Sequence, residues 1–226
     1  MTGSLTLREL VAELVAIDSV NPDLVPGGAG ELEIARFAAA WLADAGVEVR
    51  IEEVTPGRAN VIGVARGTGG GRSLLLNGHT DTVGHEGYAR PLEPRVDGDR
   101  LYGRGSFDMK GGLAAALWAC ARAARLELAG DVTVVAVCDE EFASIGTQAV
   151  VEMLSADAAI VTEPTALEVC VAHKGFAWLE IDVAGHAAHG SQPQLGVDAI
   201  AKSGRVLTGI EDLGRRLAAG PGHARL

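Results

Sequence analysis

Three short apolar runs in this 226-residue chain each end in a group of acidic or imidazole side chains, and that pairing constrains the fold more than any other feature. Ser73-Leu-Leu-Leu-Asn77 leads into Gly78-His79-Thr80-Asp81, Val132 to Cys138 leads into Asp139-Glu140-Glu141, and Ala158 to Val161 leads into Thr162-Glu163-Pro164. Brief apolar runs of this kind read as strands buried on both faces. Helical stretches separate them, among them the Ala-rich segment Lys110 to Leu126. The alternation predicts an α/β fold, with a mixed, mostly parallel sheet carrying helices on both faces. Sheets of that type bind ligands beyond the carboxyl ends of their strands.

The remaining elements follow from local pattern. Leu7, Leu10, Val11, Leu14 and Val15 fall at helical spacing, and Thr6 with Glu9 forms a capping-box signature; Asn21-Pro22 is expected to end this helix. A second helix is expected from Glu31 to Ala45, stopping at Gly46. Val47, Val49 and Ile51 alternate with charged residues as in a half-exposed strand, and Asn60 to Ala65 reads as another. Asp97-Gly98 signals a hairpin. From Phe176 the pattern changes, with an alternating segment at Ala177 to Val183, a Gly/His/Ser loop and a helix from Val197 to Leu217. The boundary is therefore expected at 175/176, with a first domain over 1–175 and the start of a second over 176–226.

Composition narrows the function classes. Thirty acidic against 19 basic residues give a formal charge of −11 without a cationic cluster, which argues against a nucleic-acid groove. The longest apolar run, Leu113 to Cys120, is far shorter than the ~18 residues of a membrane span. The N-terminus lacks a signal-peptide pattern, and Cys120, Cys138 and Cys170 show no CxxC spacing. These features suit a cytoplasmic chain with reduced, buried thiols.

Four clusters carry candidate chemistry. His79 and Asp81 project to the same side of the chain, so the carboxylate can fix the tautomer of a ligating imidazole; a loop histidine bonded to its neighbour gives the same pattern. Gly103-Arg-Gly-Ser-Phe-Asp108-Met-Lys-Gly-Gly112 presents Asp108 at a helix start, as a ligand or as a cap, and lacks the spacing of phosphate-binding loops. Asp139-Glu140-Glu141 is costly at a buried strand end without cations, although a solvated acidic loop reads the same. Glu163 is kept extended by Pro164. One histidine with several carboxylates suits Zn, Co or Mn.

The strings Gly78-His-Thr-Asp-Thr-Val83, Gly105-Ser-Phe-Asp-Met-Lys-Gly-Gly112, Asp139-Glu-Glu141 and Glu163-Pro-Thr165 resemble the two-zinc amidohydrolases and peptidases that include acetylornithine deacetylase, succinyl-diaminopimelate desuccinylase, aminoacylase and glutamate carboxypeptidase. The resemblance covers nearly the whole chain. It implies a zinc exopeptidase-like fold in which His79 and Glu163 bind one metal, Asp108 bridges both, Glu141 binds the second and Asp81 supports His79. Glu140 would be the general base for a metal-bridging water. Ala172-His-Lys-Gly175 is similar to the acetylornithine deacetylase branch, and Gly185-His-Ala-Ala-His189-Gly-Ser-Gln-Pro193 to the opening of the family's lid and dimerisation domain. His189 would then stabilise the tetrahedral oxyanion, generally in the site of a partner subunit. The implied substrate is an N-acyl amino acid or a small peptide and the implied assembly a homodimer. The family also takes a histidine from a later segment, so the chain, ending at Leu226, is expected to be truncated. A dipeptidase or carboxypeptidase, or a non-catalytic truncated binding or dimerisation product, stands as the alternative.

Overall fold

The computed structural model describes residues 5–173, 175 and 179–222. In chain order the elements are α1 (Leu7–Ala16), α2 (Leu32–Asp44), β1 (Glu48–Thr55), β2 (Arg58–Ala65), β3 (Leu74–His79), β4 (Arg95–Asp97), β5 (Arg100–Tyr102), α3 (Gly111–Ala123), β6 (Val132–Val137), α4 (Ile145–Met153), β7 (Ala158–Val161) and α5 (Ala199–Ala219). They fall into two units, 1–166 and 167–226, so the division comes before the expected 175/176 boundary. Ala166 and Leu167, at the junction, both take left-handed φ values of 54° and 63°.

Five strands of the first unit form one mixed sheet in the order β1-β2-β6-β3-β7. β6, β3 and β7 run parallel, whereas β1 and β2 are antiparallel to each other and β2 is antiparallel to β6. Parallel pairing therefore joins three of the five strands, as expected of a mixed, mostly parallel sheet, while β1 and β2 are joined by antiparallel pairing. The reason is local: only Pro56-Gly57 separates β1 from β2, and so short a link can reverse a chain but cannot carry a parallel crossover.

Side-chain alternation sends the central strands' residues to two cores. Val61, Leu76, Val134 and Ala136 pack with α1, α2 and α3, where Leu10, Leu14, Ile34, Trp41, Leu42, Leu113 and Leu117 are buried. Ile62, Val135 and Val137 face the other way and pack against Val150 of α4. The helices thus cover both faces, as expected. The Thr6–Glu9 capping box opens α1, and Gly46, with φ 89°, follows α2. α1 ends at Ala16, short of Asn21-Pro22, because residues 18–25 are drawn into other hydrogen bonds, Asn21 N to Thr82 O among them.

β7 departs from the expected buried strand. All four of its residues are exposed, Ile160 at 51% and Val161 at 57%, because β7 pairs with β3 on one edge alone among the described residues. α4 was not evident in the sequence. It begins at Ser144 in a left-handed conformation without a side-chain cap bond, and its first turn, Ile145-Gly-Thr147, is made of poor helix formers.

The second unit holds the amphipathic α5, capped by Asp198 Oδ1 accepting from Ala201 N, and a bridge between His186 and Val197. The strand expected at 177–183 begins outside the described residues, and residues 179–183 form no strand. A strand needs a neighbour to accept its backbone bonds, and among the described residues none is paired with 179–183. Cys170 is exposed and so departs from the expected buried thiols, while Cys120 and Cys138 are buried. Trp41 is in the core, Trp118 packs against it, and Trp178 and His223 lie outside the described residues. No helix of the described residues is long and apolar enough to cross a membrane.

Three outcomes follow from this packing. Leu42→Ala empties a fully buried site and should cost about 2–5 kcal/mol in denaturant unfolding. Gly112→Ala should cost about 1–3 kcal/mol in the same measurement, since a Cβ there would lie 2.1 Å from the backbone oxygen of Thr162. Burial pushes the thiols of Cys120 to about 11 and Cys138 to about 12, so at pH 8 both stay protonated and inert. A disulfide reagent should therefore titrate Cys170 alone in the native chain and all three thiols after denaturation.

Candidate metal centre

The parallel strands bring the clusters together. In register, His79 at the end of β3 stands beside Val137 at the end of β6, and Asn77 stands beside Val161 of β7. The residues that follow, 80–81, 138–141 and 162–163, therefore emerge side by side at one end of the sheet. Asp108 arrives from the loop before α3. That helix approaches the end of β7 closely because Gly112 has no side chain to strike Thr162.

His79 is the hub, and it is buried. Its Nδ1 lies 3.0 Å from the backbone oxygen of Asp81, so Nδ1–H donates there and Nε2 is left facing outward. Nε2 is 3.2 Å from Asp108 Oδ1, 3.8 Å from Glu140 Oε2 and 3.9 Å from Glu163 Oε1. An unprotonated Nε2 and a carboxylate oxygen 3.2 Å apart are both acceptors, so a positive charge has to lie between them. In the metal-free chain a proton supplies it. Burial works against the imidazolium, yet hydrogen bonds to Asp108 and Asp81 and the charges of Asp81 and Glu140 push its pKa up to about 11. The His79 hydrogen bond holds Asp108 below the usual carboxylate range. Glu141 is raised to about 7, by burial and by the Asp108 charge.

Two sets of donors lie close enough to share an ion: His79, Asp108 and Glu141, and His79, Glu140 and Glu163. All four expected ligands, His79, Asp108, Glu141 and Glu163, are thus gathered in one site, and Glu140 stands within ligand range as well. The donor set, one imidazole with partly exposed carboxylates, fits a divalent cation of the Zn, Co or Mn type.

Asp81 does more than back His79. Its Oδ1 lies 3.5 Å from Nδ1, but its carboxylate accepts from Glu140 N and Glu141 N, both at 3.1 Å, and from Asn21 Nδ2 at 2.8 Å. Burial would raise its pKa, but the His79 hydrogen bond and charge, with these donors, hold it below the usual range. His189 belongs to the second unit and is exposed. There its Nδ1 accepts from Ser191 N at 3.2 Å, which places the ring proton on Nε2.

Sequence reasoning missed a buried polar layer beside these groups, in which Asn21, Glu31 and Arg58 join Asp139 of the acidic cluster. The available signals were Asn21-Pro22, which reads as a helix stop, and Arg58, the one charged residue of a largely apolar strand. Arg58 donates to Glu31, Asp23 and Asp139. Burial opposes its charge, but the bonds and charge of Glu31 and the bonds to Asp23 and Asp139 keep its pKa above the ordinary value.

Comparison with known proteins agrees with this geometry. Residues 75–219 match the model of peptidase family M20/M25/M40. The chain is 36% identical over 218 residues to an acetylornithine deacetylase of Myxococcus xanthus, covering 92% of this chain and 54% of that protein. It is 32% identical over 216 residues to the acetylornithine deacetylase of Aliivibrio fischeri strain MJ11, covering 93% and 56%. The chain thus spans about half the length of the curated relatives it matches. Among solved structures, aminopeptidase PepT from Bacillus cereus ATCC 10987 superposes with a TM-score of 0.60 at 24% identity, over 89% of this chain and 55% of that one, and so shares the fold. With the family's model matching most of its length and the sheet end gathering His79 with its carboxylates, the chain belongs to peptidase family M20/M25/M40.

Proposed function

We propose that this chain supplies the catalytic half of a metal-dependent amidohydrolase that cleaves the amide bond of an N-acyl amino acid. The observation carrying this reading is the outward-facing Nε2 of His79, with Asp108, Glu140 and Glu163 oxygens within 3.9 Å and Glu141 in ligand range. His79 and Glu163 would hold one divalent ion and Glu141 the other, with Asp108 shared; zinc suits the donors best, and cobalt or manganese would substitute. When bound, such ions supply Lewis acidity, lowering the pKa of water and polarising the scissile carbonyl.

The chain's own residues do the rest. Glu140 carries a carboxylate beside the ligand Glu141 and is fixed through its backbone N–H by Asp81, which suits it to take the proton of the attacking water and pass it to the departing amine. Asp81 holds the Nδ1 side of the imidazole, so Nε2 remains available as a donor atom. His189, with its proton on Nε2, has the form needed to donate to an oxyanion, and we assign it that role in a homodimer assembled through residues 176–226. The match to acetylornithine deacetylases at 32–36% identity supports an N-acetyl substrate over a dipeptide for this chain. The lack of a cationic cluster and the two buried thiols support a cytoplasmic enzyme acting on small molecules.

Hydrolysis of N-acetylornithine, other N-acyl amino acids and dipeptides, after chelation and then with added zinc or cobalt, tests the reading. Metal-restored release of the free amino acid is expected. Glu140→Gln should lower kcat by roughly 10²–10⁴-fold with metal content unchanged. Full turnover by that variant removes Glu140 from the role of base, and a chain that binds neither metal defeats the whole proposal.

A further inference from the structure

Below the donors for the metal lie two carboxylates that no role has so far explained together. Asp81 and Asp139 are both completely buried, and like charges at such depth repel strongly. One side chain lies between them. The Nδ2 of Asn21 donates to Asp81 Oδ2 at 2.8 Å and to Asp139 Oδ1 at 3.0 Å, so its two amide hydrogens are divided between the two anions. Asn21 is itself fully buried and held at both ends: its backbone N–H donates to Thr82 O at 2.9 Å, and its Oδ1 accepts from Asp23 N at 3.0 Å.

Each carboxylate then grips the same stretch of backbone from a different side. Asp81 accepts the N–H groups of Glu140 and Glu141. Asp139 takes a left-handed φ of 61°, which turns the chain sharply off β6, and its Oδ2 accepts from Ala143 N at 3.2 Å and Ile145 N at 3.3 Å. Arg58 NH2 anchors Asp139 Oδ1 at 2.9 Å, and Glu31 Oε1 accepts from Asp139 N at 3.1 Å. The loop carrying Glu140 and Glu141 is therefore suspended between two anions that one amide bridges. Neither a carboxylate nor an apolar side chain could perform that task, since the first adds repulsion and the second removes one donor from each anion and the link between them.

We propose that Asn21, some 120 residues before the loop in sequence, is a positioning residue that sets the coordination geometry of Glu141 and the aim of Glu140 by bridging Asp81 and Asp139. The inference rests on the metal-centre reading of His79, Asp108, Glu141 and Glu163. It differs from a purely structural role in what it predicts: loss of the bridge displaces donor oxygens in a chain that is otherwise folded.

Cobalt(II) titration of the whole chain, followed by visible absorption, tests this at a temperature where circular dichroism shows each variant folded. Asn21→Ala is expected to weaken cobalt binding on the order of 10–100-fold and to change the absorption bands of the bound ion. Asn21→Ser, whose single hydroxyl can serve one carboxylate at a time, should fall between Asn21→Ala and the unaltered chain, and it serves as the measured variant if Asn21→Ala does not fold. Leu42→Ala is the control for stability alone; it should lower Tm yet leave affinity and spectrum unchanged. A folded Asn21 variant with the affinity and spectrum of the unaltered chain overturns the proposal while leaving the metal centre in place. An unaltered chain that takes up no cobalt overturns the metal-centre reading, and this inference with it.

Discussion

Repulsion among carboxylates is the constraint around which the first unit is built. The ends of β6, β3 and β7 deliver Asp81, Asp139, Glu140, Glu141 and Glu163 to one place, with Asp108 joining from the α3 loop and Glu31 from the start of α2. The structure resolves this crowd into two tiers. In the lower tier Glu31, Asp81 and Asp139 are fully buried, and their charge is met by Arg58, Asn21 and backbone N–H groups. In the upper tier Asp108, Glu140 and Glu163 keep side-chain exposures of 60%, 43% and 35% and face Nε2 of His79. The lower tier is satisfied internally, whereas the upper tier is grouped around the His79 imidazole and stays open to solvent.

The sheet topology serves this arrangement. Parallel pairing is confined to the three strands whose ends build the site, because only parallel neighbours deliver their carboxyl ends to the same edge. The β1-β2 hairpin widens the sheet on the side away from β7 and contributes Arg58 from the first residue of β2. Arg58 thereby joins the sheet's pairing to the polar layer, and loss of its guanidinium would strand buried carboxylates at a cost of about 3–5 kcal/mol.

Much of this was legible in the amino-acid order. The Thr6–Glu9 cap, the stop at Gly46, the apolar runs of β3 and β6 and the four acidic clusters are local signals, and each appears where the pattern placed it. α4 was hidden because its start lacks a cap and its first turn, Ile145-Gly-Thr147, is made of poor helix formers. The exposure of β7 was hidden for a different reason. Its residues are as apolar as those of β6, and burial depends on whether a strand has neighbours on both sides, which no local pattern records.

Residue types and their spacing on their own singled out the side chains proposed to carry the chemistry, since an imidazole and carboxylates at the ends of apolar strands have few other uses together. Tertiary structure alone decided how those groups are held. Asn21 and Asp81 are 60 positions apart, and Arg58 and Asp139 are 81 apart, so each partnership exists only once the sheet has closed. A hydrogen bond between buried partners depends on distance and donor geometry, and the folded backbone sets both.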